Sequence, residues 1–200
     1  YRFVWNTFCD WFLEFAKPAL AEGADPAAAA EVRATAAHVL GLILRLLHPA
    51  IPFVTEELWD RFGYGATCSL IRESWPAAAT VTDAAEARPE LEWVVRLIGL
   101  VRSVRNEMNV PPSVPGPVLL RDAAPETIAR AERWIEPIRR MARASDVRVL
   151  DSDLPKGSAQ AVLDEATVVL PLEGIIDIGV ERVRLGKERD KAAAEALKFD

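Results

Sequence analysis

The hydrophobic positions of this chain change period along its length, and the changes mark its parts. From Tyr1 to about Leu20, Val4, Phe8, Trp11, Phe12 and Phe15 recur at helical spacing, which predicts a first helix. Its apolar surface nearly encircles it, leaving a thin polar stripe of Asn6, Asp10, Glu14 and Lys17. Such a helix is expected to sit centrally in a bundle. Asp25 followed by Pro26 reads as an N-cap and first helical position. The helix it opens should run to about Leu47 and bury Val32, Val39, Ile43, Leu46 and Leu47. Pro49 and Pro52 then impose a rigid corner. A short helix from about Phe53 to Phe62, closed by Gly63, follows. Tyr64 to Ala79 reads as a surface loop pinned by Leu70, Ile71 and Trp75.

The next helix is expected to carry Pro89 in its first turn and to continue to about Asn109. Leu91, Val94, Val95, Ile98, Val101, Val104 and Met108 form its core face, and Arg102, Arg105 and Asn109 a separate polar face. Pro111-Pro112 stops it, and the texture changes. Strands are predicted over 117–121, 147–150, 161–163 and 167–172, the last two as a hairpin, with a helix over 125–144. A charged helix begins near Asp177 and runs to Leu197. The chain is thus read as mainly α: a helical bundle over 1–112, a small α/β subdomain over 113–176 and a helical segment over 177–200.

Composition narrows the function. Half the residues are hydrophobic, enough for a core and against disorder. The net charge of -6 weighs against a free-standing nucleic-acid binder. The excess lies mostly in the first half, however, while arginines outnumber acids between Arg121 and Arg148, with Arg139, Arg140 and Arg143 clustered. Cys9 and Cys68 lack metal spacing, and Cys9 reads as a small buried hydrophobe in a reduced, cytoplasmic setting. No signal peptide opens the chain, and no apolar run reads as long enough to cross a membrane. Tyr1 and Asp200 both read as cuts in something longer.

Catalytic chemistry is not evident. No phosphate-cradling glycine loop or GxSxG elbow occurs, and no His–carboxylate cluster has metal spacing. His38 and His48 read as polar helix residues, and the Glu56-Glu57 pair suits the start of a helix, where the backbone dipole favours negative charge. No catalytic or metal site is expected. What remains is an arginine face, a polar stripe and several aromatics, which together could contact phosphates and splayed bases.

Four blocks sharpen that reading. Residues 3–18, FVWNTFCDWFLEFAKP, look like the corresponding helix of valyl-tRNA synthetases. Residues 47–59, LHPAIPFVTEELW, resemble a block shared by the class I valyl, isoleucyl and leucyl enzymes. Residues 101–112, VRSVRNEMNVPP, resemble a valyl block, and residues 170–177, LPLEGIID, resemble the start of that family's coiled-coil arm. They come in the family's order and cover nearly the whole chain.

The resemblance implies a helical anticodon-binding bundle over 1–112, a small α/β subdomain over 113–176 and the start of a coiled-coil arm over 177–200. It implies a parent enzyme that joins valine to tRNA(Val) using ATP and Mg2+. The family's HIGH- and KMSKS-type motifs and its editing domain are not in these residues, so the chain itself is expected to hold tRNA without catalysis and without a cofactor. Its expected partners are tRNA(Val) and the upstream catalytic and editing domains, with no membrane. The expected tRNA-binding residues are Arg102, Arg105 and Asn109 first, then Asn6, Asp10 and Trp11. Arg102 and Arg105 could instead pair with acids of the bundle such as Glu14 or Asp10. Two other readings stay open: the same region of an isoleucyl or leucyl relative, and a helical protein-interaction domain without RNA affinity, which the acidic net charge favours.

Overall fold

Capping and proline placement carry through to the fold of this computed structural model, which describes residues 1–66, 68–78 and 84–196. The chain divides into two compact units, Tyr1–Thr82 and Asp83–Asp200.

The first unit opens with a wide-turned helical segment, Phe3–Phe12, which runs into α1 (Leu13–Ala16) and one tight turn at Pro18–Leu20. Aromatic rings stack four residues apart along it: Tyr1 on Trp5, Phe8 on Phe12, Trp11 on Phe15. The helix is there, but the described residues do not surround it. Only Phe8 and Ala16 are buried, while Phe3, Trp5 and Leu13 are exposed. Periodicity records how much apolar surface a helix carries, not whether neighbours cover it. Within this unit, cover reaches one side only. Cys9 is accordingly exposed rather than buried.

Helix α2 (Pro26–Leu47) starts where its signals place it. The Asp25 carboxylate accepts from the backbone N–H of Ala27 and Ala28, each at 3.2 Å. Its buried stripe differs from the expected one. Ala29, Gly41, Ile43 and Leu44 are buried, whereas Leu46 is exposed. Small residues explain the difference: the Tyr64 ring lies against Gly41, and its hydroxyl donates to the Ala37 carbonyl at 2.6 Å. By length and composition alone α2 is apolar enough to cross a membrane, contrary to the sequence reading, because its alanines contribute hydropathy without bulk.

Helix α3 (Pro52–Arg61) follows the proline corner and ends before Gly63, which adopts φ 77°. Leu44, Trp59 and Leu70 form the core of this unit, with Leu40, Leu58 and Tyr64 packed around them. Of the three expected loop anchors only Leu70 is buried; Ile71 and Trp75 are exposed.

The second unit is built on α4 (Ala84–Glu107), whose fully buried residues Trp93, Val94, Leu97, Ile98 and Val101 follow helical spacing. Pro89 lies inside this helix rather than in its first turn. A four-stranded sheet has the order β2-β1-β4-β3, from β1 (Gly116–Arg121), β2 (Ala144–Val149), β3 (Ser158–Leu163) and β4 (Ala166–Pro171). β1 pairs parallel to β2 and antiparallel to β4, and β3–β4 is the expected hairpin. The parallel connection runs through α5 (Pro125–Arg133) and α6 (Ile135–Ala142), which replace the single helix expected over 125–144. The break is at Trp134, where φ is -105°. α7 (Ile178–Ala196) closes the described chain.

Packing divides the chain at 82/83. α4, expected to complete the helical bundle, packs with α6 and β3 of the α/β unit.

Ion pairs fasten α4 to its surroundings. Arg96 makes two hydrogen bonds to Asp164 at 2.7 Å each, and Glu90 accepts from Arg133 and from the Trp134 indole, both at 2.6 Å. These bonds hold both carboxyls below their usual range; for Glu90 the Trp134 bond is the larger cause, for Asp164 the Arg96 bond. A carboxyl depressed in the folded state stabilises it fully above the ordinary carboxylate pKa and loses that effect as pH falls through the folded value. Thermal unfolding of the chain should therefore be insensitive to these groups near neutrality and shift to lower temperature below about pH 4. Glu90→Gln should flatten that acid limb; a melting profile identical to that of the unsubstituted chain at every pH would refute the assignment.

Candidate nucleic-acid interface

The expected residues fall into two sets, one in each unit. In the first, Asn6 and Asp10 are exposed and Trp11 is half-buried against Phe15. In the second, the chain folds Arg102 and Arg105 onto backbone carbonyls. Arg102 Nε donates to the Met141 carbonyl at 2.8 Å, and its side chain remains exposed. Arg105 donates to the carbonyls of Val114 at 2.6 Å and Pro111 at 3.2 Å. It thereby fixes the loop that leads from α4 into β1. Burial, and secondly the charge of Arg143, push the Arg105 guanidinium below its usual pKa.

Asn109 is not on the helix. α4 ends at Glu107, and Asn109 sits beyond it with φ 50°, a left-handed position that asparagine tolerates better than most residues. Its side chain hydrogen-bonds Glu181 at the root of α7. The helix thus ends two residues short of the last member of the i, i+3, i+7 face.

Arg143 completes this corner. It ends α6 in a left-handed conformation, φ 56°, with its N–H on the Arg139 carbonyl and its own carbonyl accepting from Gly116. Non-glycine residues pay for this conformation. Its side chain is exposed, and Arg140 next to it is exposed too. The ends of α4 and α6 and the start of β1 thus bring Arg102, Arg105 and Arg143 together. Among the described residues Arg105 has no carboxylate partner. Sequence spacing grouped Arg143 with Arg139 and Arg140 only; its proximity to Arg105 needs the parallel β1–β2 pairing.

The 47–59 block serves the fold of the first unit. Thr55 donates its hydroxyl proton to the Ile51 or Pro52 carbonyl, so it accepts from His48 Nδ1 at 2.8 Å. Glu56 accepts from the N–H of Leu70 and Ile71 at 2.9 and 3.2 Å, and Glu57 pairs with Arg61. The paired acids therefore clamp a loop and brace a helix. Among the described residues no group of three or more His, Cys, Asp or Glu is placed to hold a metal ion.

Residues 1–120 match the family model of the anticodon-binding domain of tRNA ligase, and the chain belongs to that family. Its relatives are more particular. It is 64% identical over 199 residues to the valine–tRNA ligase of Granulibacter bethesdensis, covering 99% of this chain and 22% of that protein. It is 59% identical over 198 residues to the valine–tRNA ligase of Gluconobacter oxydans and 47% identical over 203 to that of Caulobacter vibrioides, again with 22% of each covered, and 99% and 100% of this chain. The chain thus spans about a fifth of the length of these relatives. The family match crosses the packing boundary at 82/83 and ends within β1.

Proposed function

We propose that this chain is the tRNA-holding part of a cytoplasmic valine–tRNA ligase, with tRNA(Val) as its RNA partner. In such an enzyme ATP and Mg2+ act in the catalytic domain, and the present residues contribute grip alone. The observation that carries the reading, beyond family membership, is the corner of Arg102, Arg105 and Arg143. Like charges gathered without a carboxylate on Arg105 are poised for a polyanion, and guanidinium groups suit phosphate oxygens. Arg105 acts mainly by holding the 111–114 turn, while the exposed Arg102 and Arg143 reach RNA. Asn109 orients the root of the arm, and Asn6, Asp10 and Trp11 form a second contact set. The functional division follows 1–112, 113–176 and 177–200.

The test is tRNA binding by the full-length ligase as a function of salt. Arg143→Glu and Arg102→Ala should each weaken binding and lower the magnitude of the salt slope by about 0.7–0.9. Unchanged affinity and slope in both variants would sink the reading. Arg105→Ala should also lower the melting temperature, because it strands two carbonyls.

A further inference from the structure

We propose that a pocket on the first unit receives one unpaired base of the bound RNA; this rests on the tRNA-holding reading above. The pocket has a volume of about 180 Å³ and is lined by Arg45, His48, Leu70, Glu73, Ser74 and Trp75, among others. It is smaller than the roughly 300 Å³ at which drug-sized cavities begin, and suits a single flat ring system.

Its chemistry is mixed, and the mixture selects the ligand. The Arg45 guanidinium lies over the Trp59 ring at 5.5 Å, and its Nε is buried with no hydrogen-bond partner among the described residues. It is held by stacking instead of by a carboxylate. His48 uses Nδ1 on Thr55, and its Nε2 lies 3.9 Å from Glu56, too far for a hydrogen bond. Glu73 accepts from the Cys68 thiol at 2.9 Å through one oxygen and keeps a second. Trp75 stands at the rim, 65% exposed. The site therefore offers a cationic donor, the Glu73 carboxylate as acceptor, a ring nitrogen of His48 and an aromatic face. A phosphate would meet the Glu73 carboxylate and the nearby Glu56. A nucleobase edge, carrying donors and acceptors together, satisfies Arg45 and Glu73 at once, and its face stacks on Trp75. The Glu56 clamp on Leu70 and Ile71 keeps the wall of the pocket in place before RNA arrives.

The experiment is base-selective chemical probing of tRNA(Val) bound to the full-length ligase, with affinity measured over a range of salt. One unpaired base should be protected by the unsubstituted enzyme, exposed again with Trp75→Ala and Arg45→Leu, and still protected with Trp75→Phe. Trp75→Ala should weaken binding about 10-fold, within the range of a lost base–aromatic stack, with its salt slope unchanged because stacking releases no counterions. Its exposure predicts an unaltered melting temperature, which separates binding from folding. Identical base reactivities and affinity in Trp75→Ala would overturn the proposal. So would a lower salt slope in Arg45→Leu with base reactivities unchanged, which would mean that a phosphate occupies the site. If Arg143→Glu or Arg102→Ala reduces affinity while Trp75→Ala is silent, only the pocket falls; if all three are silent, the tRNA-holding reading falls too.

Discussion

Trp59→Ala is expected to destabilise the first unit by about 3–5 kcal/mol, the usual cost of emptying a buried tryptophan site. The side chain is 4% exposed and packs with Leu44 and Leu70. Its ring stacks on Tyr64 at 4.8 Å, its indole N–H donates to the Cys68 carbonyl at 3.2 Å, and the Arg45 guanidinium lies over it. Truncation removes apolar burial, orphans a carbonyl and frees the cation together. Trp59→Phe keeps most of the area and should lose only about 1–2 kcal/mol, mainly from the hydrogen bond. Hydrogen exchange of the amides at 68–71 reports this unit directly, and should accelerate in the alanine variant to the rate of local unfolding. Protection unchanged by the alanine substitution would contradict the described core.

The second large effect is expected at Trp93, and its interest lies in the contrast between two substitutions. Trp93 is 1% exposed, with Arg130 over its ring at 5.3 Å. Trp93→Ala should cost about 3–5 kcal/mol. Its indole N–H, however, is buried with no hydrogen-bond partner among the described residues. An unsatisfied buried donor costs free energy, about 1–3 kcal/mol, so Trp93→Phe removes a liability along with some packing area. Denaturant unfolding should place Trp93→Phe within about 1 kcal/mol of the unsubstituted chain, far closer than Trp59→Phe relative to its burial. A Phe variant as unstable as the Ala variant would show that the indole N–H is satisfied after all.

Features that depend on neighbouring residues were legible in the sequence. The Asp25–Pro26 signal located the start of α2, the proline corner and Gly63 bounded α3, and the strands read over 161–163 and 167–172 located the β3–β4 hairpin. Features that depend on which partner arrives were not. The aromatic belt of residues 3–16 promised a surrounded helix, but only one side is covered. The buried stripe of α2 follows Gly41 and its alanines because Tyr64 packs there, which no periodicity encodes. α4 has the same amphipathic pattern whichever unit it joins, and Trp93 and Leu97 were missed on its core face. Among the candidate residues, the spacing of Arg102 and Arg105 marked them as a pair, yet their partners are main-chain carbonyls, which a sequence of side chains cannot display. Arg143 joins them only through tertiary structure. Trp75 read as a loop anchor because bulk suggests burial; it is exposed, and Glu56 anchors the loop through the Leu70 and Ile71 amides instead.

The root of α7 has a mechanical consequence. Arg184 donates to the Glu107 carbonyl at 2.6 Å while bonded to Glu181, and Glu181 in turn meets Asn109. These bonds pin the first turns of α7 to the last turn of α4, two residues ahead of Asn109 and four ahead of the turn that Arg105 secures. A swing of α7 about the Leu172–Ile176 turn would therefore have to break the Arg184 bond to the Glu107 carbonyl first, which makes the root of this helix a tethered hinge.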